Sequence, residues 1–161
     1  MTVIVVIIVI VAVIIVGMIA SVRIIREYER GVIFRLGRIR PLHGPGVCRV
    51  IPGVERLVRV DLRVVSLTIP PQEVITRDNV PARVNAVVLF RVIDPIKSVM
   101  EVENHAVATS QIAQTTLRSL LGREDLDTLL AHREDLNERL REQIAQQTTI
   151  WGVEVRLVEI K

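Results

Sequence analysis

The sequence predicts an α/β chain of the α+β type: an N-terminal transmembrane helix followed by a compact domain of antiparallel strands with packed helices. Three observations carry that prediction. Residues 3–20 are apolar or glycine without exception, and no charge precedes Arg23. Between residues 28 and 93, segments that alternate apolar and polar positions with the period of two of a half-buried strand are separated by turns rich in Pro and Gly. From Asp94 the period lengthens to the three-to-four spacing of amphipathic helices, and a last β-type segment follows Gly152.

The first run is long enough to cross lipid. At 1.5 Å per residue, the roughly 20 residues from Thr2 to Val22 match a hydrocarbon core of ~30 Å. Valine and isoleucine favour strands, but an isolated strand in lipid leaves its backbone groups unpaired, so the run must be helical. A cleaved signal peptide would need a basic start, an apolar stretch of about 7–15 residues and a small-x-small site. Met1-Thr2 carries no side-chain charge, and Met18-Ile19-Ala20 fits such a site poorly. The expectation is an uncleaved anchor over residues 1–22 and one domain over residues 23–161.

Charge sorts by position. Between Arg23 and Arg63 ten arginines face four acids, whereas from Ser66 onward eleven basic residues face fourteen acids. Basic residues just past a span hold that flank in the cytoplasm and attract anionic lipid by roughly 1 kcal/mol each. Arg23, Arg26 and Arg30 are therefore the expected membrane-surface contacts, and the domain is expected on the cytoplasmic side.

The elements follow in order. In "YERGVIFRLGR" Val32, Phe34 and Leu36 share one parity, which predicts a half-buried strand. In "LVRVDLRVVSLTIP" the parity flips at Val64-Val65, which predicts a bulge or bend there in a strand closed by Pro70-Pro71. "EVITRDNVPARVNAVVLFRVID" predicts a hairpin about Asp78-Asn79, whose second arm is apolar on both faces from Ala86 to Phe90 and so central in its sheet. Asp94 with Pro95 opens a helix; Ile112, Ala113, Leu117, Leu120 and Leu121 line another, ended by Gly122. Leu126, Leu129, Leu130, Leu136, Leu140 and Ile144 are placed on one further stripe, and "VEVRLVEIK" is the final strand.

No motif for catalysis emerges. His43, His105 and His132 lie far apart and lack metal-ligand spacing. There is no GxSxG elbow, Ser-x-x-Lys or Walker loop. Cys48 is the one cysteine, which excludes an internal disulfide and suits a small buried hydrophobe. The acids Glu124, Asp125 and Asp127 sit where a helix dipole favours them, and Asp135–Arg139 and Glu138–Arg141 are ordinary helical pairs. Four aromatic residues in all give no stacking platform, so nucleic acid is not an expected partner. A hydrolase with a dispersed Ser or Cys site, and a lipid-sorting module without a protein client, are the alternatives the residues leave open.

"YERGVIFRLGR", "GPGVCRVIPGVERLVRVDLR", "QEVITRDNVPARVNAVVLFRVIDP", "ATSQIAQTTLRSLLG" and "WGVEVRLVEIK", in this order, resemble the stomatin/prohibitin (SPFH, or Band 7) superfamily, most closely its slipin branch. The resemblance covers about residues 23–161. It implies a membrane-anchored scaffold, without enzymatic activity or cofactor, that forms homo-oligomers, organises membrane patches and modulates partner membrane proteins. For prokaryotic slipins it implies an NfeD-type membrane protein as partner. Two departures stand out. Slipins continue past the final strand into a long coiled-coil helix, whereas this sequence stops at Lys161, so assembly is expected to hold in the bilayer and weaken in detergent. The apolar run carries Gly17 rather than the proline of kinked stomatin hairpins, which favours a straight span. Gly17 with Ser21 forms a small-xxx-small pair, and Arg133, Asn137 and Arg141 form a polar stripe that faces a neighbour in the expected assembly.

Overall fold

The computed structural model describes residues 2–161, apart from the side chains at positions 2, 3, 14 and 20. Thr2–Ala20 forms α1, nineteen residues with no acidic or basic side chain at either end. Among the described residues no helix is long and apolar enough to cross a membrane. The sequence of α1 is unbroken by charge. The chain divides into two compact units at Asp61/Leu62.

The first unit holds α1 and five strands. β1 (Val22–Ile25) pairs antiparallel with β4 (Gly46–Arg49); β2 (Glu29–Arg35) lies between β3 (Arg38–Ile39) and β5 (Glu55–Asp61). Ile25, Ile33, Cys48 and Val50 form its core with Leu57 packed against them. The strand over residues 29–35 is not half-buried as its alternation predicts. Val32 and Ile33 are neighbours and are both buried, so both faces of β2 are covered. Leu36 leaves the strand altogether: it sits in the turn at φ 47°, followed by Gly37 at 82°.

The second unit is a three-stranded antiparallel sheet in the order β6 (Val65–Ile75), β7 (Pro81–Val92), β8 (Val153–Ile160). β7 is central, as its two apolar faces predict. The hairpin turns through Thr76–Val80, with Asn79 at φ 62° and the Thr76 hydroxyl bonded to the Asp78 carboxylate and the Val80 carbonyl. α3 (His105–Leu121) and α5 (Arg133–Thr148) pack on this sheet and bury Leu117, Leu121, Leu136, Leu140 and Ile144 against Ile69, Val88 and Val158. α2 (Pro95–Met100) starts as expected, with Asp94 Oδ1 accepting from the backbone of Ile96 and Lys97 at 3.1 and 3.2 Å.

Three expectations are corrected. "LVRVDLRVVSLTIP" does bend, at Arg63, but it is not one strand: β5 ends at Asp61, β6 begins at Val65, and the two belong to different sheets. The register shift lies later, between Ile69 and Gln72, so Pro70-Pro71 sit inside β6 at an irregularity instead of ending it. The leucine stripe is broken at His132 (φ −121°, ψ 43°) into α4 (Leu126–Ala131) and α5, and Leu130 is 61% exposed. Asn137 Oδ1 accepts from the Ile160 backbone at 3.0 Å and pins the end of β8 to α5.

Candidate membrane-contact site

Where α1 ends, the chain passes directly into the basic segment. Ser21 Oγ donates to the Gly17 carbonyl at 2.8 Å, and the Ser21 backbone N–H donates to Gly17 and Met18 at 3.1 and 3.2 Å. The Ser21 carbonyl in turn accepts from Val50 N–H at 2.8 Å. One buried residue thus joins the helix to β1 and β4, with no linker between them.

The register of this ribbon sorts its side chains. Val22 faces Arg49, Arg23 faces Cys48, Ile24 faces Val47 and Ile25 faces Gly46. Opposed residues share a face, and successive residues alternate. Ile25 and Cys48 therefore point into the core, while Val22, Ile24 and Val47 are 50%, 66% and 76% exposed on the other side, with Arg49 beside them. Three aliphatic side chains held open at the end of an uncharged helix form a surface suited to the boundary between headgroups and acyl chains.

The three arginines named from sequence have different immediate surroundings. Arg23 lines a cleft of about 450 Å³ together with Arg56 and Arg59, over the buried Glu55 carboxylate. Glu55 accepts from Ile51 N–H at 3.1 Å and pairs with Arg40 at 3.6 Å. Arg26 lies 5.8 Å from the Tyr28 ring centre and donates to its hydroxyl at 2.5 Å. Arg30 donates to the carbonyls of Glu27 and Glu29, both at 3.0 Å, and so closes the turn before β2. Sequence reasoning missed the apolar ribbon face and the grouping of Arg23 with Arg56 and Arg59. The alternation Val22-Arg23-Ile24 was a usable signal, but it reads equally as the frayed end of the span.

The remaining titratable groups are placed structurally. Burial, and then the Glu55 charge, push the Cys48 thiol up. His105 meets Phe90 edge to face at 6.2 Å, and burial lowers its pKa. Glu138 pairs with Arg141 as expected, but Arg139 reaches Glu124 at 3.1 Å instead of Asp135; Asp125 and Asp127 do sit at the start of α4, where Asp125 makes no side-chain cap bond and accepts from Arg77. Among the described residues no group of three or more His, Cys, Asp or Glu is placed to hold a metal ion.

An apolar helix joined directly to a basic two-stranded ribbon, and two three-stranded antiparallel sheets, define the class of protein. The chain belongs to the SPFH domain / Band 7 family, whose model matches residues 23–161. Its relatives lie in the stomatin-like branch. It is 54% identical over 142 residues to a stomatin homologue of Pyrococcus horikoshii, covering 88% of this chain and 53% of that protein. It is 44% identical over 141 residues to stomatin-like protein 3 of Homo sapiens, covering 86% and 48%. An uncharacterized protein of Archaeoglobus fulgidus is 52% identical over 144 residues, covering 89% and 58%. The chain thus spans a little over half the length of these two archaeal relatives.

Proposed function

We propose that this chain is the membrane-anchored part of a self-associating, non-enzymatic scaffold that organises membrane patches and modulates partner membrane proteins, an NfeD-type protein among them. In this reading residues 1–22 span the bilayer and residues 23–161 form the domain resting against it. The observation that carries the reading is the direct hydrogen-bonded junction at Ser21, which fixes the apolar face of Val22, Ile24 and Val47 at the end of α1. Arg23, Arg26 and Arg30, with Arg49, lie at headgroup depth and favour anionic lipid by roughly 1 kcal/mol each where they reach the surface. The same bias places the domain in the cytoplasm.

Extraction of membranes with alkaline carbonate tests the anchor, because the apolar side chains of α1 each favour insertion by a few tenths of a kcal/mol and sum to several. The protein is expected in the pellet; recovery in the supernatant contradicts the span. In a separate experiment on whole cells, a Ser66→Cys chain is expected to escape an impermeant thiol reagent, and strong labelling reverses the assigned side.

A further inference from the structure

The second unit carries, at its two ends, surfaces that complement one another. At one end α3, α4 and α5 and the adjoining tips of β7 and β8 enclose an apolar cleft of about 160 Å³. Its floor includes Leu126, Leu129 and Leu130, and its walls include Arg83, Arg133 and Lys161. α4 buries none of its residues, so its leucines are left half-covered. Arg83 and Arg133 are exposed, and neither makes an ion pair among the described residues. The volume is well below the roughly 300–1,000 Å³ of small-molecule sites. It suits one or two aliphatic side chains flanked by carboxylates.

Such a feature stands at the other end. The segment from Met100, which closes α2, to Val107, in the first turn of α3, exposes Met100 at 58% and Val107 at 52%. Between them Glu101 and Glu103 are exposed, and their carboxylates make no ion pair or hydrogen bond among the described residues. Topology sets the separation. Ala82, Arg83 and Val84 at the start of β7 line the cleft, whereas the acidic segment follows its end. Twelve residues of strand extend about 40 Å. α3 runs back from the acidic segment to Leu121 in the cleft wall, seventeen residues or about 25 Å.

We propose that the acidic-apolar segment Met100–Val107 of one copy docks into the cationic cleft of a second copy of this chain. The contact deepens the self-association proposed above and rests on it. Met100 or Val107 enters among the α4 leucines, and Glu101 and Glu103 meet Arg83 and Arg133. Because the two surfaces are different and lie at opposite ends, the contact is head to tail. Each added copy leaves one free segment and one free cleft, so growth continues into a ring or a filament. Confinement of neighbours to the membrane plane raises their effective concentration.

The test uses the full chain in phospholipid vesicles. Single-molecule photobleaching counts copies, and disulfide trapping reads the contact, with buried Cys48 as a silent background. A chain carrying both Glu103→Cys and Arg133→Cys is expected to give a ladder of dimers, trimers and higher species. A mixture of the two single variants is expected to stop at dimers, since each copy then offers one reactive end. Glu101→Arg should reduce trapping about tenfold, and adding Arg83→Glu should restore it, as like charges repel across an interface and swapped charges do not. Several copies per particle with no ladder, or a Glu101→Arg chain that traps as well as its parent, overturns this interface and leaves self-association standing. Single copies throughout overturn both.

Discussion

Leu36 occupies a left-handed backbone conformation that suits asparagine or glycine, with its side chain 79% exposed beside Gly37. It gains no burial there, so Leu36→Asn is expected to raise stability by about 0.5–1 kcal/mol, read as a higher urea midpoint at unchanged slope. A strained apolar residue at a turn tip fits a surface selected for contact rather than for stability. His105 works the other way. Burial beside Phe90 holds its folded pKa below the ordinary value of 6.5. Below that value the unfolded chain binds more protons, so stability falls as pH drops through 6.5 toward the folded pKa and is constant above it. Urea midpoints at pH 7.5 and pH 5.0 should show that decline, and His105→Phe should flatten it.

At the scale of elements, periodicity made most of the second unit legible. β7 announced its central place because Ala86 to Phe90 is apolar on both faces, and Asp94-Pro95 announced α2 because cap chemistry is local. What failed was nonlocal. The parity flip at Val64-Val65 is the same in sequence whether a strand bulges or leaves its sheet, and only pairing decides. The break at His132 was equally hidden, since leucines on either side keep helical spacing. The site was legible as a basic segment but not as an apolar face, which exists only once β4 places Val47 opposite Ile24. β8 depends on one backbone position. Gly152 has φ 69°, its carbonyl accepts from Ile93 and Asp94, and an added Cβ would lie 2.6 Å from the Asp94 carbonyl oxygen. Gly152→Ala is therefore expected to cost about 1–3 kcal/mol or more, visible as a lowered melting temperature, because rigid backbone cannot yield.

At the scale of the molecule, the proposed role rests on where residues 2–61 lie in a bilayer. α1 at nineteen residues is about 28 Å long, close to the hydrocarbon thickness, and Ser21 leaves the ribbon no slack. Depth measured residue by residue tests this most directly. Spin labels placed singly at Val9, Ile24 and Val47 in phospholipid vesicles report accessibility to oxygen, which concentrates in lipid, and to a water-soluble nickel chelate. Val9 is expected deep in the hydrocarbon and shielded from the chelate, and Ile24 and Val47 at the headgroup boundary with chelate access well below that of a free surface residue. Labels at Ile24 and Val47 as accessible to the chelate as a free surface residue, or a Val9 label open to water, would contradict this placement.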